Sequence, residues 1–361
     1  MEQYNEFEQY LRATEPGLKE RAELWQTAIG LQKVDGLVVS DYLVDTAKRH
    51  IEGEVNIDDV DKLITTYYQS EAAREIPDDV KQADEVSKNI VRVLSEQSFS
   101  FSVQGLAGLH RRIFNGVMKH AGEFRKYNVT KKEWVLDSAT VLYGPYEDLT
   151  RTIEYDLEQE RQFSYKGLSQ SQIIEHLARF ASDLWQIHPF PEGNTRTTAV
   201  FTIKYLRSMG YGVENDMFKS HSWYFRNALV RANYRNAVKG VEPTYEFLIL
   251  FFRNLLLGEN NELRNRYLHI RWDEGKRQNE VSNVAKPQNE VSKMTKPQLS
   301  VKEKAVVEVM TENPHVTIDK VAEITGISDS TIDRIIKTLK EKGVIERKGQ
   351  KNNSEWFVKY L

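Results

Sequence analysis

QNEVSNVAKP at 278–287 is followed at once by QNEVSKMTKP at 288–297. Both copies are polar, and each closes on a proline. A stacked repeat architecture needs more and longer units to bury a core, so this stretch reads as a solvated linker. One hydrophobic core cannot then run through all 361 residues. At least two folding units are expected, one on either side of the repeat.

Before the linker the apolar spacing is helical almost throughout. LARFASDLWQI (177–187), TAVFTIKYLRSMG (198–210) and SWYFRNALVRANY (222–234) carry apolar residues three and four apart. Asn128 to Tyr146 differs. There β-branched and aromatic residues flank Asp137-Ser138, which predicts a β-hairpin ended by Gly144-Pro145.

After the linker, a helix is expected over roughly Val301 to Glu312. Thr317 is placed to cap a second helix ended by Gly326, and Ser328 a third closed by Gly343. VIERKGQKNNSEWFV then reads as two strands around a polar turn. Together these make a winged helix-turn-helix. Ser330, Thr331, Arg334 and Lys337 can share one face of its third helix, with Arg347, Lys348 and Lys351 in the wing, a placement suited to duplex DNA.

Composition excludes several classes. With 40% hydrophobic residues, 29% charged and a net charge of −3, nothing pulls the whole chain toward nucleic acid or anionic lipid. No cysteine is present, so disulfides, zinc–thiolate sites and cysteine nucleophiles are out. MEQYNEFEQY lacks a signal-peptide core. The most apolar run, Phe247 to Leu257, contains Arg253 and is too short to span a bilayer. A cytosolic protein without membrane contact is expected.

The chemistry concentrates in IHPFPEGNTRTT, residues 187–198. Pro189 disfavours helical geometry at the residue before it, so one helix should end near His188 and leave its imidazole at a cleft. Asn194 reads as the N-cap of the next helix. The unpaired amides that follow sit at the positive end of the helix dipole and suit phosphate. Arg196 adds a forked donor, and Glu192 an oxygen for a phosphate-bound magnesium ion. From spacing alone, a mere corner between two helices is an equally good account.

HPFPEGNTR resembles the signature loop of the Fic (Fido) family, His-x-Phe-x-Asp/Glu-Gly-Asn-Gly/Lys-Arg-x-x-Arg. LHRRIFNGVMKHAGEFRKYNV upstream is similar to the family's helix leading into its target-docking hairpin, the flap, so the likeness runs from about Phe101 to Gly258. It implies a mainly α protein: a Fic-type helical core with a β-hairpin flap, plus the winged domain. The implied domains are 1–75, an N-terminal helical module; 76–262, the Fic domain; 263–298, a helix end and linker; and 299–361, the winged unit.

The resemblance further implies transfer of AMP from ATP to a hydroxyl of a target protein or of the chain itself. His188 would be the general base and Glu192 the Mg²⁺ ligand. Gly193, Asn194, Thr195 and Arg196 would hold the nucleotide, and Phe190 would be the buried anchor of the loop. Two positions depart from the pattern: Thr195 replaces Gly/Lys, and Ala199 replaces the second arginine. They keep a second reading alive, a DNA-binding regulator that senses nucleotide without efficient transfer. A homo-oligomer is left open.

Residues 40–64 resemble the segment that restrains many Fic enzymes, with the pattern Ser/Thr-x-x-x-Glu-Gly/Asn. Ile51-Glu52-Gly53 matches its end, making Glu52 the inhibitory candidate. Lys48 stands where Ser or Thr is expected and can pair with Glu52 one helical turn away. An ordinary helix C-cap at Gly53 is the alternative.

Overall fold

The structure, a computed structural model, describes residues 7–12, 15–213, 217–272, 301–325, 329–342, 344–348 and 355–358. They fall into two units, one within 3–272 and one within 273–361. The repeat at 278–297 lies outside the described residues, as do Gly326, Ser328, Gly343 and Lys351.

In the first unit the helices are α1 (Glu8–Leu11), α2 (Pro16–Gly30), α3 (Asp41–Glu52), α4 (Ile57–Gln69), α5 (Asp78–Ser95) and α6 (Val103–Ile113). They continue with α7 (Leu149–Gln162), α8 (Gln170–Ile187), α9 (Asn194–Ser208), α10 (Met217–Ala232), α11 (Glu246–Leu257) and α12 (Asn265–Leu268). Their starts are written locally. Ser40, Asn56 and Ser102 each accept a backbone N–H from the first turn of the helix they precede. Ser169 and Gln172 form a reciprocal capping box on α8.

Helix α9 is buried on nearly every side, from Asn194 through Lys204, packed among α5, α6 and α8. A helix buried all round makes a rigid post, and the signature loop is its entrance. Its far end is also tied down. Lys204 donates to the carbonyls of Val93 at 2.9 Å and Glu96 at 2.8 Å, and Arg207 to that of Leu94 at 3.0 Å. These cations satisfy the last carbonyls of α5, the negative end of its dipole. Helix α2 lies so close to α10 that a Cβ on Gly30 would fall 2.3 Å from Lys219 Cα.

Residues 128–146 depart from the expected hairpin. The chain does reverse at Asp137 and Ser138, both in the left-handed region, and the Glu133 N–H reaches the Ala139 carbonyl at 2.9 Å. No strand is formed there among the described residues. Trp134–Leu136 instead make a 3-10 turn that buries Val135 and Leu136. The Val135 carbonyl takes the N–H of Ile270. A 3-10 turn inside the segment cannot present the alternating pairs of a hairpin ladder.

The second unit comprises α13 (Val301–Glu312), α14 (Ile318–Thr325), α15 (Asp329–Glu341), β1 (Ile345–Lys348) and β2 (Glu355–Val358). The strands pair antiparallel, Ile345 opposite Val358 and Arg347 opposite Trp356. Val306, Met310, Val321, Ile332, Ile336, Leu339 and Trp356 form a separate core. Thr317 accepts the Lys320 N–H at 3.3 Å, the cap read from the sequence. Among the described residues no helix is long and apolar enough to cross a membrane.

Candidate active site

Helix α8 ends at Ile187, because Pro189 disfavours helical geometry at the residue before it, and His188 is its C-cap in a left-handed conformation with φ 51°. The ring is buried and packs on Tyr143, centroids 4.0 Å apart, and edge-on to Trp185 at 5.5 Å. Neither ring nitrogen has a hydrogen-bond partner. Burial, then the nearby charges of Lys131, Arg125 and Arg226, hold its pKa well below the ordinary value. His188 is therefore a neutral imidazole with a free lone pair. That is the state a base requires.

Asn194 differs from its expected role. Gly193, with φ 72°, occupies the N-cap position, and Asn194 is the first helical residue. Its side chain clamps the loop from within, accepting the Phe190 N–H at 2.9 Å and donating to the Phe190 carbonyl at 2.7 Å. A Cβ on Gly193 would fall 2.3 Å from Phe114 Cζ, so no other residue fits there. Phe190 is buried and stacked on His110 with centroids 3.7 Å apart, as an anchor should be.

His110 ties the loop to Gly122 through its two nitrogens. The Gly122 N–H donates to its Nδ1 at 2.8 Å, and its Nε2 meets the Glu192 carbonyl at 3.1 Å. The Glu192 side chain is exposed. Among the described residues no three His, Asp or Glu side chains converge as a metal cage. One free carboxylate beside an anion site suits a magnesium ion that brings its other ligands as phosphate oxygens and water. The residues fit that ion.

The first bond into α9 from its entrance runs from the Thr197 N–H to the Gly193 carbonyl, leaving the earlier amides of the first turn without helical acceptors. Thr195 turns its hydroxyl to Trp185, accepting from Nε1 at 3.0 Å. Arg196 is buried and already engaged. It donates to Gln32 Oε1 at 2.9 Å, stands 2.9 Å from Asp35, and lies over the Phe114 ring at 4.8 Å. Gln32 and Asp35 belong to a 3-10 turn, Leu31–Asp35, that follows α2. Ala199 is fully buried.

A loop of this composition and geometry at a helix entrance has a counterpart among known families: residues 100–206 match the Fic/DOC family. The chain carries a Fic/DOC family domain. Residues 299–346 match the family described as winged helix-turn-helix DNA-binding. Over 119 residues, 33% of its length, the chain is 26% identical to protein adenylyltransferase VbhT of Bartonella schoenbuchensis. The match spans 24% of that relative's length. A Fic domain containing signaling protein from Bacteroides thetaiotaomicron aligns at TM-score 0.45 and 14% identity, covering 76% of this chain and 97% of that one. A Fic family protein from Desulfovibrio desulfuricans aligns at TM-score 0.43 and 11% identity, covering 99% and 94%.

The Fic domain brings His188, Glu192, Gly193, Asn194, Thr195 and Arg196 into one loop and helix entrance. Glu52 goes elsewhere. It accepts from the Tyr10 hydroxyl, beside Ile51, whose carbonyl binds Arg21. Lys48 pairs with Asp45 at 3.5 Å. Ile51, the neighbour of Glu52, meets α2 at Arg21, whereas Arg196 meets the turn that follows Gly30, nine helical residues or about 13 Å further along. The residue overlooked in the sequence is Asp35. A signal for it exists: Val34-Asp35-Gly36 repeats the apolar-acid-glycine form of Ile51-Glu52-Gly53, and Gly36 and Gly53 both have positive φ.

Of the DNA-contact candidates, Arg334 and Lys337 are exposed on α15, Thr331 is half-buried there, and Arg347 is exposed on β1 over the Trp356 ring at 5.0 Å. Ser330 lies in α15 and Lys348 in β1; their side chains lie outside the described residues.

Proposed function

We propose that the first unit transfers AMP from ATP to a hydroxyl of a protein, with His188 as the general base. The observation that carries this reading is a buried, neutral imidazole with no partner on either nitrogen, four residues from an exposed carboxylate at the entrance of a buried helix. A ring nitrogen takes the acceptor's proton. The acceptor oxygen then bonds to the α-phosphorus, the bond to the β-phosphate oxygen breaks, and pyrophosphate leaves. The first-turn amides of α9 and the Arg196 guanidinium would hold the phosphates, and Glu192 a magnesium ion. When bound, that ion supplies charge neutralisation on the phosphates. Both ring nitrogens of His188 are buried and Tyr143 packs on the ring, so the packing around it must open for an acceptor to reach the base.

The supporting likeness is a family match and one curated relative with adenylyltransferase in its name. Incubating the full chain with ATP labelled on the α-phosphate and Mg²⁺, and looking for label on the chain itself or on added protein, tests the reading. Label that requires His188 supports it; no label on any acceptor overturns it.

A second reading rests on the engagement of Arg196 by Asp35. A site so occupied suits a nucleotide sensor that governs DNA binding by the winged unit. ATP binding without label, together with ATP-dependent DNA affinity, would favour it.

A further inference from the structure

Arg125 is buried, yet each hydrogen bond made by its side chain goes to a backbone carbonyl. Nε donates to His188 at 2.7 Å, Nη1 to Tyr127 at 2.8 Å, and Nη2 to Ile187 at 3.2 Å and to Gly144. Its own N–H reaches the Pro189 carbonyl at 2.8 Å. Burying a charge is costly unless its donors are satisfied, and a planar fork with five N–H groups satisfies four acceptors where an ammonium cannot. The acceptors form two pairs. Ile187 and His188 end α8, the negative pole of its dipole. Tyr127 and Gly144 are the two feet of the flap.

We propose that Arg125 is the positioning residue of the transfer site, fixing the left-handed turn at His188 and both feet of the flap with one guanidinium. It thereby sets the separation between the base and Tyr143 above it. The inference rests on the transfer reading for its kinetic test, but its structural core does not. Around His188 stand Lys131 and Tyr143 from the flap, Arg226 from α10, Trp185 from α8, and Arg125 itself. Glu133 and Arg226 pair with each other at 2.8 Å.

Two variants separate geometry from charge. Arg125→Lys keeps the field at His188 and loses the fork; Arg125→Ala loses both. In the full chain with labelled ATP, Arg125→Lys should label at least about tenfold more slowly, with ATP affinity within about twofold of wild type. Its acid-side midpoint should stay where the wild type has it. Arg125→Ala should be slower still, with that midpoint moved to higher pH, because a cation that opposed protonation of His188 is gone. Millimolar guanidinium should restore part of its rate. A wild-type rate in Arg125→Lys, or ATP affinity falling in parallel with rate, overturns the proposal.

Should wild type not label at all, the transfer reading fails and the positioning claim is read by NMR from His188 directly. Changed imidazole shifts in Arg125→Lys then support it, and unchanged ones overturn it. If Arg125→Ala does not fold, Arg125→Lys alone decides.

Discussion

The buried Arg196 of the signature loop and the exposed Asp35 of the 3-10 turn form an ion pair 2.9 Å long. The guanidinium proposed to meet a nucleotide phosphate is thus held by a carboxylate from an element distant in sequence. Several expectations rest on that contact and on the loop around it.

Asp35→Asn keeps the side chain's shape and removes its charge, so Arg196 should turn more readily to phosphate. ATP affinity and self-labelling should rise about tenfold, roughly 1.4 kcal/mol. Glu52→Gly should change either by less than about twofold, since Glu52 bonds Tyr10 instead. Calorimetric ATP titration of both variants would show it; the reverse ranking would restore Glu52 as the inhibitor.

His188→Ala should abolish transfer and leave ATP binding within about twofold, because a base acts on the acceptor's proton. Since the folded environment opposes the imidazolium, wild-type activity should hold steady from pH 7 down past the ordinary histidine value of 6.5. It should fall only in more acid solution. A rate that already halves near pH 6.5 would contradict this.

His110 links Gly122 to Glu192 in its neutral form, and burial pulls its pKa down to about 4. The unfolded chain therefore binds the extra proton first. The stability His110 supplies is complete above pH 6.5 and is lost as the pH falls toward 4. His110→Phe should cost about 2 kcal/mol at pH 7, from two lost buried hydrogen bonds, and clearly less at pH 5. Urea melts at both values decide, and a pH-independent difference would count against the account.

Gly193→Ala places a Cβ 2.3 Å from Phe114 at a φ of 72°. Strain and overlap together should cost about 2 kcal/mol or more and displace the amides of α9. Thermal melts and ATP titration should both show the loss. An undisturbed ATP affinity would mean that the loop does not hold the nucleotide.

For the winged unit, duplex DNA affinity of the full chain should fall as salt rises. Replacing Arg334 and Arg347 together by Ala should flatten the log–log salt slope by about two, one for each lost phosphate contact. No binding at low salt would redirect the search to a protein partner.

What the sequence determined by itself is what acts over a few residues. Pro189 bars helical geometry at His188, Gly193 alone tolerates its positive φ against Phe114, and Ser40, Asn56 and Ser169 start helices through their own side chains. The loop's composition, the helical periodicities and the winged order were legible for that reason. Tertiary structure decided the partners. Arg196 bonds Gln32, 164 residues away. Glu52 goes to Tyr10, Arg125 gathers carbonyls from the flap and α8, and Ile270 bonds the Val135 carbonyl where a hairpin was expected. A local rule fixes the backbone a residue adopts. Which buried donor meets which acceptor depends on how the helices pack, and on the cost of leaving either one unpaired.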